Sequence, residues 1–201
     1  VASMLLGCAI GAFTAGRLAD SLGRRNVLII SAVLFLLSAI GAGAATSSVV
    51  FVIARVIGGF AVGAASVISP AYIAEVAPAR YRGRLATVQQ IAIISGLTAA
   101  FLSNYLLAAK AGASTEALWG GHAAWRWMFW MELFPAILFL LMLFFIPESP
   151  RFLVLKGRND AASAVLTRLY GSAVATRKLA EIQQSLSADH QPRLTDLLSS
   201  H

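Results

Sequence analysis

Apolar residues run almost unbroken through five stretches, Val1 to Leu18, Val27 to Ala45, Val49 to Ala74, Leu85 to Ala109 and Trp125 to Ile146, separated by short polar connections. Each is close to or above the roughly 20 residues a helix needs to cross a bilayer. In hydrocarbon, only helices and closed barrels satisfy their own backbone groups, and these runs are too long and too evenly apolar for barrel strands. The pattern predicts an all-α membrane protein with five spans in residues 1–146. Past Ile146 the pattern changes. Pro147 ends the last span, Ser149 can cap a new helix and Pro150 suits its first position. A second short helix is predicted from Asp160 to Tyr170, capped by Asn159, with Ala162, Val165, Leu166 and Leu169 on one face. A third is expected around Leu179, Ile182 and Leu186. Residues 147–201 therefore read as a separate set of short helices.

Charge fixes the orientation. The formal net charge of +7 is distributed by topology. Arg17, Arg24 and Arg25 follow the first run, Arg80, Arg82 and Arg84 follow the third, and seven basic residues from Arg151 to Arg193 follow the fifth. The connection after the second run has no charge between Ala42 and Val50, and that after the fourth sets Lys110 and Arg126 against Glu116. The positive-inside rule puts the three basic regions, including 147–201, in the cytoplasm of a multi-pass protein of the plasma or bacterial inner membrane. The lipid bilayer is thus its first partner. Nucleic acid is excluded, because a binding face would cluster its charge on one surface instead of alternating it along the chain. Trp119, Trp125, Trp127 and Trp130 gather where the fifth run begins, as an outer aromatic belt would. Cys8 stands alone and cannot form an internal disulfide. The first run begins at Val1 without a charged flank or a signal-peptide pattern, and the chain is expected to be an internal fragment.

Gly7 and Gly11, and Gly59 and Gly63, are small residues four apart, a spacing that lets helix backbones approach closely in lipid. Two charges sit where hydrocarbon should be. Arg55 is about six residues inside the outer end of the third run and Glu132 about seven inside that of the fifth, so both lie roughly 10 Å deep. Pairing would offset part of the cost of burial. The pair reads either as a static structural bridge or as part of a cation pathway or proton relay. At the inner side, Gly16-Arg17-Leu18-Ala19-Asp20-Ser21-Leu22-Gly23-Arg24-Arg25 forms a loop bounded by glycines that can hold a charge network. The next inner connection carries Pro70, which favours a kink, and Glu75, within reach of Arg80, Arg82 and Arg84.

The Gly16–Arg25 segment resembles the loop between helices two and three of the major facilitator superfamily. Arg55-Val56-Ile57-Gly58-Gly59 with Gly63, Pro70-x-Tyr72-x-x-Glu75-x-x-Pro78-x-x-x-Arg82-Gly83, and Pro147-Glu148-Ser149-Pro150-Arg151 are similar to motifs of the sugar porter family, in that family's order. The resemblance covers nearly the whole chain and fades after about Tyr170. It implies a partial N-terminal half of a major facilitator bundle, the five spans being helices two to six and residues 147–201 the start of the intracellular helical segment. Helix one and the C-terminal half would then be missing partners.

The resemblance further implies a sugar transporter, for a monosaccharide or polyol, working by alternating access, either secondary active or facilitative, with proton-coupled symport the expected mode. It assigns Gln90 to the substrate, and Arg55 and Glu132 to a network around a helix-one aspartate. Leu97 stands where some relatives carry a second glutamine. Gly16, Arg17, Asp20, Gly23, Arg24, Arg25, Glu75, Arg82, Glu148 and Arg151 would form a cytoplasmic gate network. A small sugar is the expected ligand and the proton the coupling ion, with no cofactor, no metal and no catalytic residue. An amide such as Gln90 offers two donors and an acceptor to hydroxyl groups, and with Ile93, Ile94 and Leu97 it forms one helical stripe. Either Gln90 or Gln89 could instead bond a neighbouring helix. Two other functions fit the same fold, a drug or organic-ion exporter and a sugar sensor that moves no solute. An enzyme does not fit, since one Cys and three scattered His supply neither a paired nucleophile nor a metal cluster.

Overall fold

The computed structural model describes residues 2–188. Val1, Arg193 and the rest of the expected cytoplasmic tail, residues 189–201, lie outside the described residues. Among the described residues, regular structure is helical, with one isolated antiparallel bridge between Ala117 and Ala123. The chain forms two compact units, the first ending at Glu148 and the second beginning at Ser149.

The first unit contains α1 (Ala2–Leu22), α2 (Arg24–Ala44), α3 (Ser48–Val76), α4 (Ala79–Ala111), α5 (Ala124–Met131) and α6 (Leu133–Phe145). The first four, and α5 with α6 taken together, are long and apolar enough to cross a membrane. The helices run further than hydropathy predicts. α1 continues through Arg17 and Asp20 to Leu22, so the inner connection is not the extended loop expected between Gly16 and Arg25. The whole reversal falls on Gly23, whose φ of 100° is open to a residue without a side chain. Likewise α4 starts at Ala79, directly after Pro78, and its first turns carry Arg80, Arg82 and Arg84 as helical residues. Polar side chains at the membrane edge do not interrupt the backbone ladder, whereas a change of φ or ψ or a missing N–H does.

A missing N–H breaks the fifth span. It is not the single helix expected from Trp125 to Ile146, because Pro135 cannot donate to the carbonyl of Met131 and its ring crowds the preceding turn. The chain closes α5 with a shorter bond, Glu132 N–H to Phe129 O at 3.1 Å, and restarts as α6.

Glycine sets how the bundle packs. α1 and α3 run parallel with their backbones in contact: a Cβ built on Gly7 or Gly11 would strike the carbonyl oxygens of Val56 and Phe60, and one on Gly59 or Gly63 those of Met4 and Cys8. α2 lies on the other side of α3, where Gly58 leaves room for the Ser38 hydroxyl. Below this level Ala15, Ala19, Val27, Leu28, Ala32, Ala64, Ile68 and Leu143 form the buried core of α1, α2, α3 and α6. α4 buries Leu107 alone among its described residues. At the outer end, the turn from Leu118 to His122 takes positive φ at Gly120 and Gly121 and is closed by Leu118 N–H to His122 O at 2.9 Å.

The second unit contains α7 (Pro150–Leu155), α8 (Asn159–Tyr170) and α9 (Ser172–Ala188). Ser149 caps α7 as expected, accepting from the Phe152 N–H at 3.4 Å, with Pro150 at the first position. The expected Asn159 cap is not made. α8 begins at Asn159 itself, and that side chain accepts a hydrogen bond from Gln183 of α9 at 3.3 Å. Ala162 and Leu166 of α8, and Ala175 of α9, are buried where the three helices meet.

Replacing Gly59 or Gly63 by valine in the intact protein is expected to cost about 3 kcal/mol, since the obstructing atoms are main chain and cannot rotate aside. Monodisperse yield after detergent extraction measures this. Gly96→Ala, whose new Cβ meets nothing within 4 Å, should extract as the parent does.

Candidate functional site

Two arginines open α2, at the end of a helix where positive charge is least welcome. Both turn away to other partners. Arg24 donates to the Ala19 carbonyl at 3.0 Å, pairs with Asp20 at 3.0 Å, and lies 3.2 Å from both carboxylate oxygens of Glu75 on α3. Its side chain is 13 % exposed, whereas that of Asp20 is 63 % exposed. Glu75 is therefore the better-shielded member of the pairing, and the Asp20 bridge is open to screening by salt. Arg25 uses a different chemistry. Its backbone N–H donates to Glu148 at 3.1 Å, and its guanidinium donates to the carbonyls of Leu143 at 3.0 Å and Phe144 at 3.1 Å. These are carbonyls that the end of a helix leaves without an internal partner, and the negative end of the helix dipole favours a cation there. Tyr72 on α3 adds a hydrogen bond from its hydroxyl to the Pro147 carbonyl at 2.8 Å. The inner end is thus a salt-bridge cluster centred on Arg24 beside a main-chain clamp formed by Arg25 and Tyr72.

The remaining members of the expected gate set are placed as follows. Gly23 is buried at the reversal. Gly16 and Arg17 lie on the exposed face of α1, with the Arg17 guanidinium 6.0 Å from the Phe13 ring centre. Arg82, in the first turn of α4, donates to the Ala77 carbonyl at 3.5 Å. Arg151 is in α7, in the second unit.

Deeper in the bundle, Arg55 and Glu132 meet across α3 and the break between α5 and α6, at 4.0 Å. The shared depth counted from the sequence is matched by contact. The pair is loose, for the Glu132 side chain is 53 % exposed and the separation is at the outer limit of an ion pair. It lines a cavity of about 560 Å³ among α1, α2, α3, α4 and α6, otherwise walled mostly by apolar and small residues. A low-dielectric wall around one cation and one carboxylate makes the gain or loss of a single proton electrostatically large.

On α4 the neighbouring glutamines separate. Gln89 faces α3 and donates to the Ser69 hydroxyl at 3.3 Å, taking the helix-bonding role. Gln90, about 100° further round the helix, is exposed together with Ile94 and Leu97. Ile93, equally exposed on the same stripe, also lines the cavity with Gly96.

The outer ends of α2 and α5 are joined by Arg126, which donates to the Gly43 carbonyl at 2.8 Å, and by Trp130, whose indole occupies the space a Cβ on Gly43 would fill. Trp127 and Trp130 meet edge to face at 5.0 Å, and Trp127 donates from its indole N–H to the Trp119 carbonyl at 3.2 Å. The expected aromatic belt is therefore also an interlocked structural cap.

The sequence model of the family described as sugar (and other) transporter matches residues 1–200. The chain belongs to this family. Within the sugar transporter family it is 53 % identical over 200 residues to a glucose transport protein of Synechocystis, covering 99 % of this chain and 42 % of that protein. It is 40 % identical over 208 residues to the D-xylose-proton symporter of Escherichia coli, covering 94 % and 41 %. The fold superposes on a major facilitator proton:xylose symporter solved with 6-bromo-6-deoxy-D-glucose bound, with a TM-score of 0.84, 40 % identity, and coverage of 93 % of this chain and 42 % of that one. A partially occluded inward-open form of the Escherichia coli xylose transporter gives 0.85 at 39 % identity, covering 94 % and 48 %. The chain spans about two fifths of the length of these curated relatives. It is a multi-pass membrane chain with part of a major facilitator bundle.

Several contacts of this family member escaped the sequence reading. Met4 and Phe129 both touch Arg55, the sulfur at 2.8 Å from Nη2 and the ring centre at 5.1 Å from the guanidinium carbon. Phe129 had a usable signal, standing one helical turn before Glu132. Pro135, inside an apolar run, had another. The acceptor carbonyls of Gly43, Leu143, Phe144 and Pro147 had none, because any residue carries one.

Arg25→Met in the intact protein is expected to cost about 3 kcal/mol by leaving two helix-end carbonyls without a charged donor. Thermal unfolding of the purified protein checks this, and the loss should persist at high salt. Arg17→Ala should stay within about 0.5 kcal/mol, as surface substitutions do.

Proposed function

We propose that the complete protein is a membrane transporter for a monosaccharide or polyol that works by alternating access and moves the sugar together with a proton. Support comes from the family and from relatives named as D-xylose-proton, arabinose-proton and galactose-proton symporters. The observation that carries the reading on this chain is the Arg55–Glu132 contact inside the bundle. A half-exposed carboxylate lining a cavity beside a cation is a group whose protonation can be tied to a conformational change.

In this reading helix one and a C-terminal half complete the transporter, and residues 147–201 are the start of its cytoplasmic helical segment. Gln90 binds a sugar hydroxyl from the exposed face of α4. Arg24 with Asp20 and Glu75 is the part of the gate network suited to opening, since side-chain ion pairs can exchange partners. Arg25 and Glu148 hold the inner end of α6, and Gly16, Arg17, Gly23, Arg82 and Arg151 complete the set. No cofactor or metal enters the cycle.

Transport assays on the complete protein test the two assignments separately. Gln90→Ala is expected to raise KM for sugar uptake about tenfold, the cost of one lost hydrogen bond to a hydroxyl, with membrane expression unchanged. Kinetics equal to the parent would remove Gln90 from the site. Glu132→Gln is expected to flatten the pH dependence of uptake while sugar exchange continues, and a profile identical to the parent's would reduce Glu132 to a structural role.

A further inference from the structure

Among the described residues, Arg55 makes one sulfur, one aromatic and one carboxylate contact, and the carboxylate is the weakest held of them. One terminal nitrogen lies 2.8 Å from the Met4 sulfur, the guanidinium sits over the Phe129 ring at 5.1 Å, and the Glu132 oxygen stands off at 4.0 Å. The ring is itself fixed. Phe129 meets Phe51 edge to face at 5.4 Å and Trp125 at 6.2 Å, and Phe51 and Trp125 meet each other at 6.2 Å, so three rings lock one another. Met4 is fixed as well, because its carbonyl packs against Gly59, one helical turn along from Arg55.

We propose that Phe129 and Met4 are positioning residues that seat the Arg55 guanidinium between an aromatic face and a thioether, independently of Glu132. The proposal rests on the coupling role given above to Arg55 and Glu132. Its physical basis is that neither seat titrates. An aromatic face attracts a cation through its quadrupole, a thioether is a weak neutral acceptor, and a guanidinium remains charged throughout the working range. Among the described residues, Arg55 and Glu132 are the charged groups lining the cavity. α1 presents Met4 there, α2 Ser38, and α4 Ile93 and Gly96, while Arg126, further out on α5, is directed to the Gly43 carbonyl. When Glu132 takes up a proton its attraction for Arg55 falls, and without another seat the guanidinium would move toward water or a new partner. The ring and the sulfur keep it in register, so that the returning carboxylate meets the same field.

The test uses the intact transporter, purified and reconstituted in liposomes. Phe129→Leu keeps an apolar side chain but removes the ring face, and Phe129→Tyr restores it. The expected result is that Phe129→Leu moves the midpoint of the uptake pH profile by about one unit, leaves KM for sugar counterflow unchanged, and is rescued by Phe129→Tyr. Met4→Leu moves the midpoint in the same direction by less. A thermal-unfolding cycle with Arg55→Met is expected to show that Phe129→Leu lowers the unfolding temperature when Arg55 is present and much less when it is absent. An equal loss in both backgrounds would overturn the proposal, since the ring would then only pack, and so would a Phe129→Leu profile superimposable on the parent's. A parent protein whose uptake ignores pH would overturn the coupling role instead, and the unfolding cycle would then decide the seating on its own.

Discussion

The backbone contact between α1 and α3 is the constraint on which the other features depend. Lipid offers helices no hydrophobic reason to associate, so close packing has to come from van der Waals contact. Here four glycines bring main chain against main chain over two turns. That approach sets the distance at which Met4 reaches Arg55, and it leaves α3 free on its other flank for α2. It also fixes the register of Tyr72 and Glu75 at the inner end of α3, where they find the Pro147 carbonyl and Arg24. A residue of any size at Gly59 would move all of these together.

The broken fifth span is held by α2 at both of its ends. Arg126 and Trp130 attach α5 to the last turn of α2 through Gly43, and Arg25 attaches α6 to the first turn of α2 through Leu143 and Phe144. Both attachments use main-chain carbonyls. They do not depend on a second titratable group, in contrast to the Arg24 cluster, where every partner except the Ala19 carbonyl is a carboxylate. Two kinds of bonding with different sensitivities to salt and pH therefore stand side by side at the inner face.

Much of this was legible in residue order. The five spans followed from hydropathy, and the meeting of Arg55 with Glu132 from counting depth along two helices that run the same way. The close approach at Gly7, Gly11, Gly59 and Gly63 followed from spacing. What escaped had physical reasons. Averaged hydropathy passes over Pro135, since one missing N–H does not alter the apolarity of a run. Arg17 and Asp20 looked like loop residues, yet a helix keeps its hydrogen bonds through polar positions until Gly23 allows a positive φ. Gln89 and Gln90 are chemically identical, and a rotation of about 100° decides which one meets Ser69. The Asn159 cap failed because Gln183, distant in sequence, claims the same oxygen.

α4 gives the bundle a different kind of boundary. Its residues from 85 to 109 carry no charge, while Arg84 and Lys110 stand immediately at either side. That neutral stretch is about 38 Å long at about 1.5 Å per residue, against a hydrocarbon layer of about 30 Å. The helix has some axial play, but only until one cation or the other reaches the acyl chains. Electrostatic stops at the two headgroup layers thus bound its vertical placement, and a thinner or thicker bilayer would retune its tilt.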